Sequence, residues 1–267
     1  MKLINRFESV ENFDWVMRQS ELLKIKIETN IWETWRDKPF YDISTYGLGE
    51  NIKVFGRGSD QSPIVATLKS FCEYLERLTC LNLKISSSGT AVHFDKMEAI
   101  ANASRELIER HIILFHINEN IPFNQVSYTP RFLEKYKDEL DCSFYSTGSC
   151  NGSFVYIIRG KLKKRNGVIY ITGSKLDLNL EIQFLRKFVS LYELGFDAEN
   201  LIQKNCLEDE AFEFKNLFNQ RKEIRVNECL NLKTEVTNCL DLDKVFFARA
   251  TSEKAICITS SGFHFIG

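Results

Sequence analysis

Residues 56–110 read GRGSDQSPIVATLKSFCEYLERLTCLNLKISSSGTAVHFDKMEAIANASRELIER, and the architecture turns on this stretch. It contains two amphipathic runs, each bearing a Glu-x-x-Glu-Arg motif. Pro63 opens the first run, where its fixed φ suits a first helical turn. Ile64, Val65, Leu68, Phe71, Cys72 and Leu75 then recur at helical spacing, predicting a helix from Ile64 to about Leu78. The second run is predicted as a helix from Asp95 to about Phe115. Asp95 is a good N-cap with Glu98 three residues on, and Met97, Ile100, Ala101, Leu107, Ile108 and Ile112 form its apolar stripe.

Within a helix, residues three apart share a face with Cβ atoms about 5–6 Å apart. Glu73 and Glu76 therefore make one carboxylate pair, and Glu106 and Glu109 a second. Glu98 and Asn102 fall near the face of Glu109. Stacked carboxylates repel unless a cation sits among them. Magnesium prefers hard oxygen ligands and joins one or two carboxylates to substrate phosphates. The neighbouring arginines suit phosphate oxygens. Solvated helix faces also carry such motifs, because Glu and Arg are good helix formers.

Working outward, a helix is predicted from Ser9 to about Lys26, followed by a stretch bearing Trp32, Trp35, Tyr41 and Tyr46. That aromatic cluster reads as core, subunit interface or peptide-binding surface. Ile52–Phe55 is strand-like, and Gly56-Arg57-Gly58 suits a tight turn with close backbone approach. Leu81–Ile85 reads as a short strand. Ser143–Ser146, Ser153–Ile158 and Gly167–Thr172 read as strands, the last two forming a hairpin around the basic turn Lys161–Arg165. That turn is a solvated hairpin tip or a phosphate or peptide contact. A helix follows over about Asn179–Leu194, then helical charged material at 198–223. Strand-like runs close the chain at Lys244–Ala250, Ala255–Thr259 and Phe263–Phe265. Strands and helices mix without regular β-α-β alternation, which predicts an α+β (mixed α/β) fold in which sheets pack with long carboxylate-bearing helices.

Thirty-five Lys and Arg against 36 Asp and Glu give a net charge of −1, so no global field draws the chain to nucleic acid or an anionic membrane. No run approaches the roughly 18 apolar residues of a membrane span. The N-terminus carries charges where a signal peptide needs an apolar run, which predicts a cytoplasmic protein. The eight cysteines are dispersed, with no C-x-x-C pair, and read as reduced thiols rather than a zinc site. His111 and His116 lie five apart, on different helical faces. Neither a phosphate-binding Gly-x-x-x-x-Gly-Lys-Ser/Thr run nor a Gly-x-Ser-x-Gly elbow occurs.

The order of these motifs resembles the YcaO family of ATP-dependent peptide-modifying enzymes. Gly56-Arg57-Gly58 precedes the first Glu-x-x-Glu-Arg. Ser87-Ser88-Gly89-Thr90-Ala91 and Glu98-Ala99 precede the second. Gly173-Ser174-Lys175-Leu176-Asp177 with its following helix, and Val245-Phe246-Phe247-Ala248-Arg249, resemble later family segments. Arg57 stands where the family has lysine, and Ser88 where it has asparagine. Only 29 positions separate Arg77 from Glu106, fewer than is usual. The resemblance implies a single shortened YcaO-like domain over 1–267, with 1–50 as an N-terminal helical and aromatic part. By position it implies magnesium ligands at Glu73, Glu76, Glu106 and Glu109. It implies an ATP pocket completed by Arg57, Glu98, Arg110 and Arg186, and it identifies no further catalytic residue. The implied activity is O-phosphorylation of a peptide backbone amide, forming an azoline or thioamide in ribosomal-peptide natural product biosynthesis. A precursor peptide, a leader-binding or adenylating-enzyme-like partner protein and a homodimer are the implied associations. The alternative is a non-catalytic nucleotide- or peptide-binding scaffold in a synthetase complex.

Overall fold

The computed structural model describes residues 6–35, 38–49, 52–163, 168–193, 217–218 and 227–255. The helix expected within 198–223 and the strands expected beyond Ala255 lie outside these residues, apart from positions 217–218. The chain divides into two compact units. The first comprises Met1–Glu106 with Leu232–Thr251, the second Leu107–Asn231 with Ser252–Gly267.

In the first unit, α1 (Arg6–Leu22) leads to an antiparallel sheet of β1 (Lys26–Trp35), β2 (Lys38–Gly49) and β3 (Ile52–Asp60). Helix α2 (Pro63–Leu83) packs on this sheet. A second antiparallel sheet has the order β10 (Lys233–Cys239), β11 (Leu242–Thr251), β4 (Thr90–His93). The core of the unit gathers Trp15, Phe71, Leu75, Val92, Val245 and Phe247, with Trp15 meeting Phe71 edge-on at 6.2 Å between ring centres. Helix α3 (Lys96–Asn118) begins here and carries the boundary between the units. Asp95 caps it as expected: its Oδ1 accepts from the N–H groups of Met97 and Glu98 at 2.8 and 2.9 Å.

Two expectations fail, the first only as to the turn and not as to the close backbone approach, for physical reasons. Gly56-Arg57-Gly58 is no turn but the continuation of β3. A Cβ on Gly56 would stand 2.2 Å from Ser70 O and from Tyr74 N, and one on Gly58 would stand 2.1 Å from Ala66 O. The glycines let the strand lie directly against the backbone of α2. Leu81–Ile85 is no strand either, because α2 runs on to Leu83. Its alternating apolar residues close the helix instead, and Lys84 turns left-handed at φ 53°. Lys84 N–H donates to Leu81 O and Ile85 N–H to Cys80 O, the bond pair of a Schellman ending. α1 ends the same way around Lys24 and α3 around Asn120.

The second unit holds an antiparallel run of β5 (Asn124–Gln125), β6 (Leu140–Cys150), β7 (Ser153–Leu162) and β8 (Val168–Gly173). β9 (Asn227–Glu228) pairs parallel to β6 at Ser149 and Cys150. The β7–β8 hairpin appears as expected. α4 (Leu178–Glu193) packs on it, with Phe184 closing over Gly160, where a Cβ would meet the ring at 2.3 Å. A 3-10 turn, η1 (Leu133–Tyr136), precedes β6. His116 is used structurally: Nδ1–H donates to Ile121 O at 2.9 Å, so Nε2 is the acceptor for Gly148 N–H, also at 2.9 Å. Among the described residues the cysteines are free thiols, and no helix is long and apolar enough to cross a membrane.

Candidate functional site

In the first unit, α2 presents Glu73 and Glu76 one turn apart, and α3 brings Glu106 toward Glu76. Each carboxylate is held differently. Glu73 Oε2 accepts the backbone N–H of Arg57 at 2.7 Å, and Oε1 pairs with Arg77 one turn on. Arg77 itself donates to Phe55 O at 3.0 Å and lies over the Phe55 ring, which ties α2 to β3. The two flanking glycines thus have a local consequence: they bring the Arg57 amide close enough to bind Glu73. The Arg57 guanidinium donates from Nε and Nη2 to Asp42 at 2.9 and 2.6 Å. Asp42 is buried on β2 and also accepts from Ser59 Oγ.

Glu76 is half-buried beside Thr90 of β4. Thr90 Oγ1 stands 3.2 Å from Glu76 Oε1 and 2.7 Å from the Ser87 carbonyl, so its single hydrogen serves one of them at a time. Burial pushes the Glu76 carboxyl well above its ordinary range. The negative charges of Glu106 and Glu73 push it further, against smaller opposing effects of Thr90 and Arg77. The Cys80 thiol, 3.5 Å from Thr90 Oγ1, is pushed up to about 11, chiefly by burial. Glu76 and Glu106 add to this, and Arg249 opposes it. Crowded carboxylates in a poorly solvated place are the electrostatic condition that a cation relieves.

Thr90 and Arg249 are contributors to which the sequence reading assigned no individual role. Arg249 on β11 lies opposite Thr90 on β4 in the sheet register, so a cation stands beside the cluster. Only this pairing between distant segments reveals it. Glu98 occupies the exposed first turn of α3, where its charge acts on His93.

The second unit carries the remaining expected positions. Glu109, one turn after Glu106 on α3, accepts from Thr172 Oγ1 of β8 at 2.6 Å. Arg110 is half-buried on the same helix. Arg186 lies on α4, its side chain outside those described. Among the described residues no three His, Cys, Asp or Glu side chains form a ready-made metal cage. Magnesium does not require one, since phosphates and water supply most of its ligands when it accompanies a nucleotide. Glu73, Glu76 and Glu106 offer carboxylate oxygens, the donor type that such an ion prefers.

No protein-family model matches the sequence, and no curated protein matches it. Solved structures do. YcaO from Methanopyrus kandleri, bound with AMPPCP and Mg2+, superposes with a TM-score of 0.62 at 11% identity, over 91% of this chain and 90% of that one. A heterocyclase in complex with substrate and cofactor gives 0.59 at 12% identity, over 90% of this chain and 52% of that one, so the chain spans about half its length. At such identities the likeness is one of fold, and it agrees with the mixed helices and antiparallel sheets described above: this chain has a YcaO-like α+β fold.

Proposed function

We propose that the carboxylate cluster binds ATP with magnesium and that the chain uses ATP to activate a backbone amide of a peptide. The feature that carries this reading is the half-buried Glu76, whose carboxyl is pushed well above its ordinary range by burial first and then by the charges of Glu106 and Glu73. Glu73, Glu76, Glu106 and, one turn on, Glu109 would hold magnesium. The ion supplies charge neutralisation and orientation of the triphosphate. The fold is that of a YcaO bound with an ATP analogue and Mg2+, which supports the same choice of ligand.

The residues around the cluster divide the work. Arg57 fixes Glu73 through its amide and is itself anchored by Asp42. Arg77 neutralises Glu73 from the other side. The same proposal gives Glu98, Arg110 and Arg186 nucleotide-binding roles. The reaction is attack on the amide carbonyl by a neighbouring Cys, Ser or Thr side chain or by external sulfide. The carbonyl oxygen takes the γ-phosphoryl group, ADP departs, and loss of phosphate leaves an azoline or thioamide. The heterocyclase of like fold is described in complex with substrate, which favours an enzymatic role over a purely scaffolding one. Delivery of the peptide by a leader-binding or adenylating-enzyme-like partner belongs to the same proposal.

Titration calorimetry with ATP, in magnesium and in EDTA, tests the binding step. Magnesium-dependent binding that disappears in Glu76→Ala and Glu106→Ala is expected. Phosphate release with peptide and partner proteins present tests the chemistry, and should vanish in Glu76→Ala and Glu109→Ala. Nucleotide binding that ignores magnesium and survives these substitutions refutes the assignment.

A further inference from the structure

The second unit contains a groove of about 960 Å³ beside the first half of β6. One wall is β6 itself, from Leu140 to Phe144, and the other is the segment Asn124–Pro130. The two begin as neighbours. β5 pairs with β6 at Ser146 and Tyr145, and Val126 N–H still donates to Phe144 O at 2.9 Å. Past Val126 the segment departs, whereas β6 continues to Leu140, paired with β7 throughout. Among the described residues, no strand pairs with Leu140–Ser143 on the side β5 has left.

The backbone geometry of that edge follows from the strand period. Phe144 O points toward Val126, so Cys142, two residues away, turns its own N–H and C=O to the same side, into the groove. The register with β7 is regular from Leu140 to Ser146, so no bulge disturbs this alternation. An open strand edge is a template for another extended chain.

The opposite wall is built, not loose. Glu181 of α4 is fully buried and accepts from Tyr128 OH at 2.5 Å. It also accepts from the backbone N–H groups of Arg131, Phe132 and Leu133 at 3.2 Å or less. Tyr128 in turn meets Phe144 edge-on across the groove, 4.9 Å between ring centres. One buried carboxylate thereby fixes the position of the wall. The charged residues of the lining balance: Glu134 and Asp141 against Lys137 and Lys163. Lys137 stands 3.7 Å from Glu134, and Lys163 donates to Lys137 O. A neutral rim with a strand edge at its base suits a polypeptide backbone and gives a polyanion no field to follow.

We infer that this groove binds an extended peptide segment, added as a further strand along Leu140–Ser143 of β6. The inference does not rest on the nucleotide reading, because every residue it uses lies in the second unit. Loss of magnesium-dependent ATP binding would leave it standing.

Main-chain recognition is sequence-tolerant, so a generic probe serves. The probe is a capped heptapeptide of alternating threonine and valine with one lysine and one glutamate at its ends. Its twin is N-methylated at three successive central residues, which keeps the side chains and removes donors from both strand edges. Amide hydrogen exchange of the full chain is the readout. At about 1 mM probe, exchange at Cys142 should slow by about threefold or more, as for ligands at the weak end of affinities. The twin should leave it unchanged. Ser127→Trp, an exposed wall residue whose enlargement fills the groove, should abolish the effect while circular dichroism stays native. Equal protection by both peptides, absence of protection in a folded chain, or protection by a single-stranded oligonucleotide in place of the probe would each overturn the inference.

Discussion

Replacing Glu76 by glutamine separates what the carboxylate does for binding from what it does for folding. The carboxamide keeps an oxygen for Thr90 Oγ1 and removes one charge from beside Glu73 and Glu106. Two carboxylates one helical turn apart, about 6 Å, repel by about 3 kcal/mol at an effective dielectric of about 20. Arg77 cancels much of the Glu73 share, and water screens the rest of a half-buried site. A net gain of about 1 kcal/mol for the variant remains, a rise of roughly 2–4 °C in Tm for a chain of this size. Magnesium with ATP at about one hundred times its Kd should add about 2.7 kcal/mol to the wild-type chain, and much less to the variant.

The two proteins therefore exchange order in a thermal melt: the variant is the more stable alone, the wild type with ligand. The pH dependence has a definite sign. The unfolded carboxyl titrates near 4.5, and the folded one titrates higher. Between those values the folded chain keeps a proton that the unfolded chain has lost. This stability is complete below the unfolded value and is lost as pH rises through the folded one. Magnesium displaces that proton, so nucleotide affinity should rise with pH across the same window. Glu76→Gln removes both dependences, whereas Glu119→Gln, on an exposed position at the end of α3, should change neither. A variant less stable than wild type without ligand, or stabilised equally by ATP and magnesium, would refute the reasoning.

Gly56→Ala should destabilise the chain by about 3 kcal/mol or more in urea melts, since the added methyl meets backbone atoms on α2 that cannot swing aside. Calorimetry without urea, at a temperature where the variant is still folded, should show weakened ATP binding, because the Arg57 amide moves from Glu73. Lys84→Gly should stabilise by about 0.5–1 kcal/mol, read as a raised urea midpoint at constant slope, by relieving a left-handed non-glycine residue. Glu181→Ala strands Tyr128 OH and three backbone donors, and should cost about 3–5 kcal/mol. In hydrogen exchange the amides of 131–133 should lose protection first.

The periodic elements were legible because their causes are local. The apolar stripe of α2, the Asp95 cap of α3 and the β7–β8 hairpin all follow from neighbours within one or two turns. The misread segments were those in which a distant partner decides. Leu81–Ile85 alternates like a strand, yet the helix runs on to Leu83: Leu81 and Ile85 pack against a core formed by other elements, while Leu83 stays exposed. Gly56 and Gly58 carry no sequence mark to distinguish a turn from a strand pressed against a helix.

By itself the sequence determined the two Glu-x-x-Glu-Arg helices, their order behind Gly56-Arg57-Gly58, and with them the α+β fold. Helical spacing is enough to pair Glu73 with Glu76 and Glu106 with Glu109. Only the tertiary structure decided that Glu106 faces Glu76, that Arg57 offers its amide to Glu73 and its guanidinium to Asp42, and that Arg249 lies opposite Thr90. It alone revealed Glu181 and the open edge of β6. These relations join residues many positions apart, and only burial of a shared core brings them within hydrogen-bonding or Coulombic range.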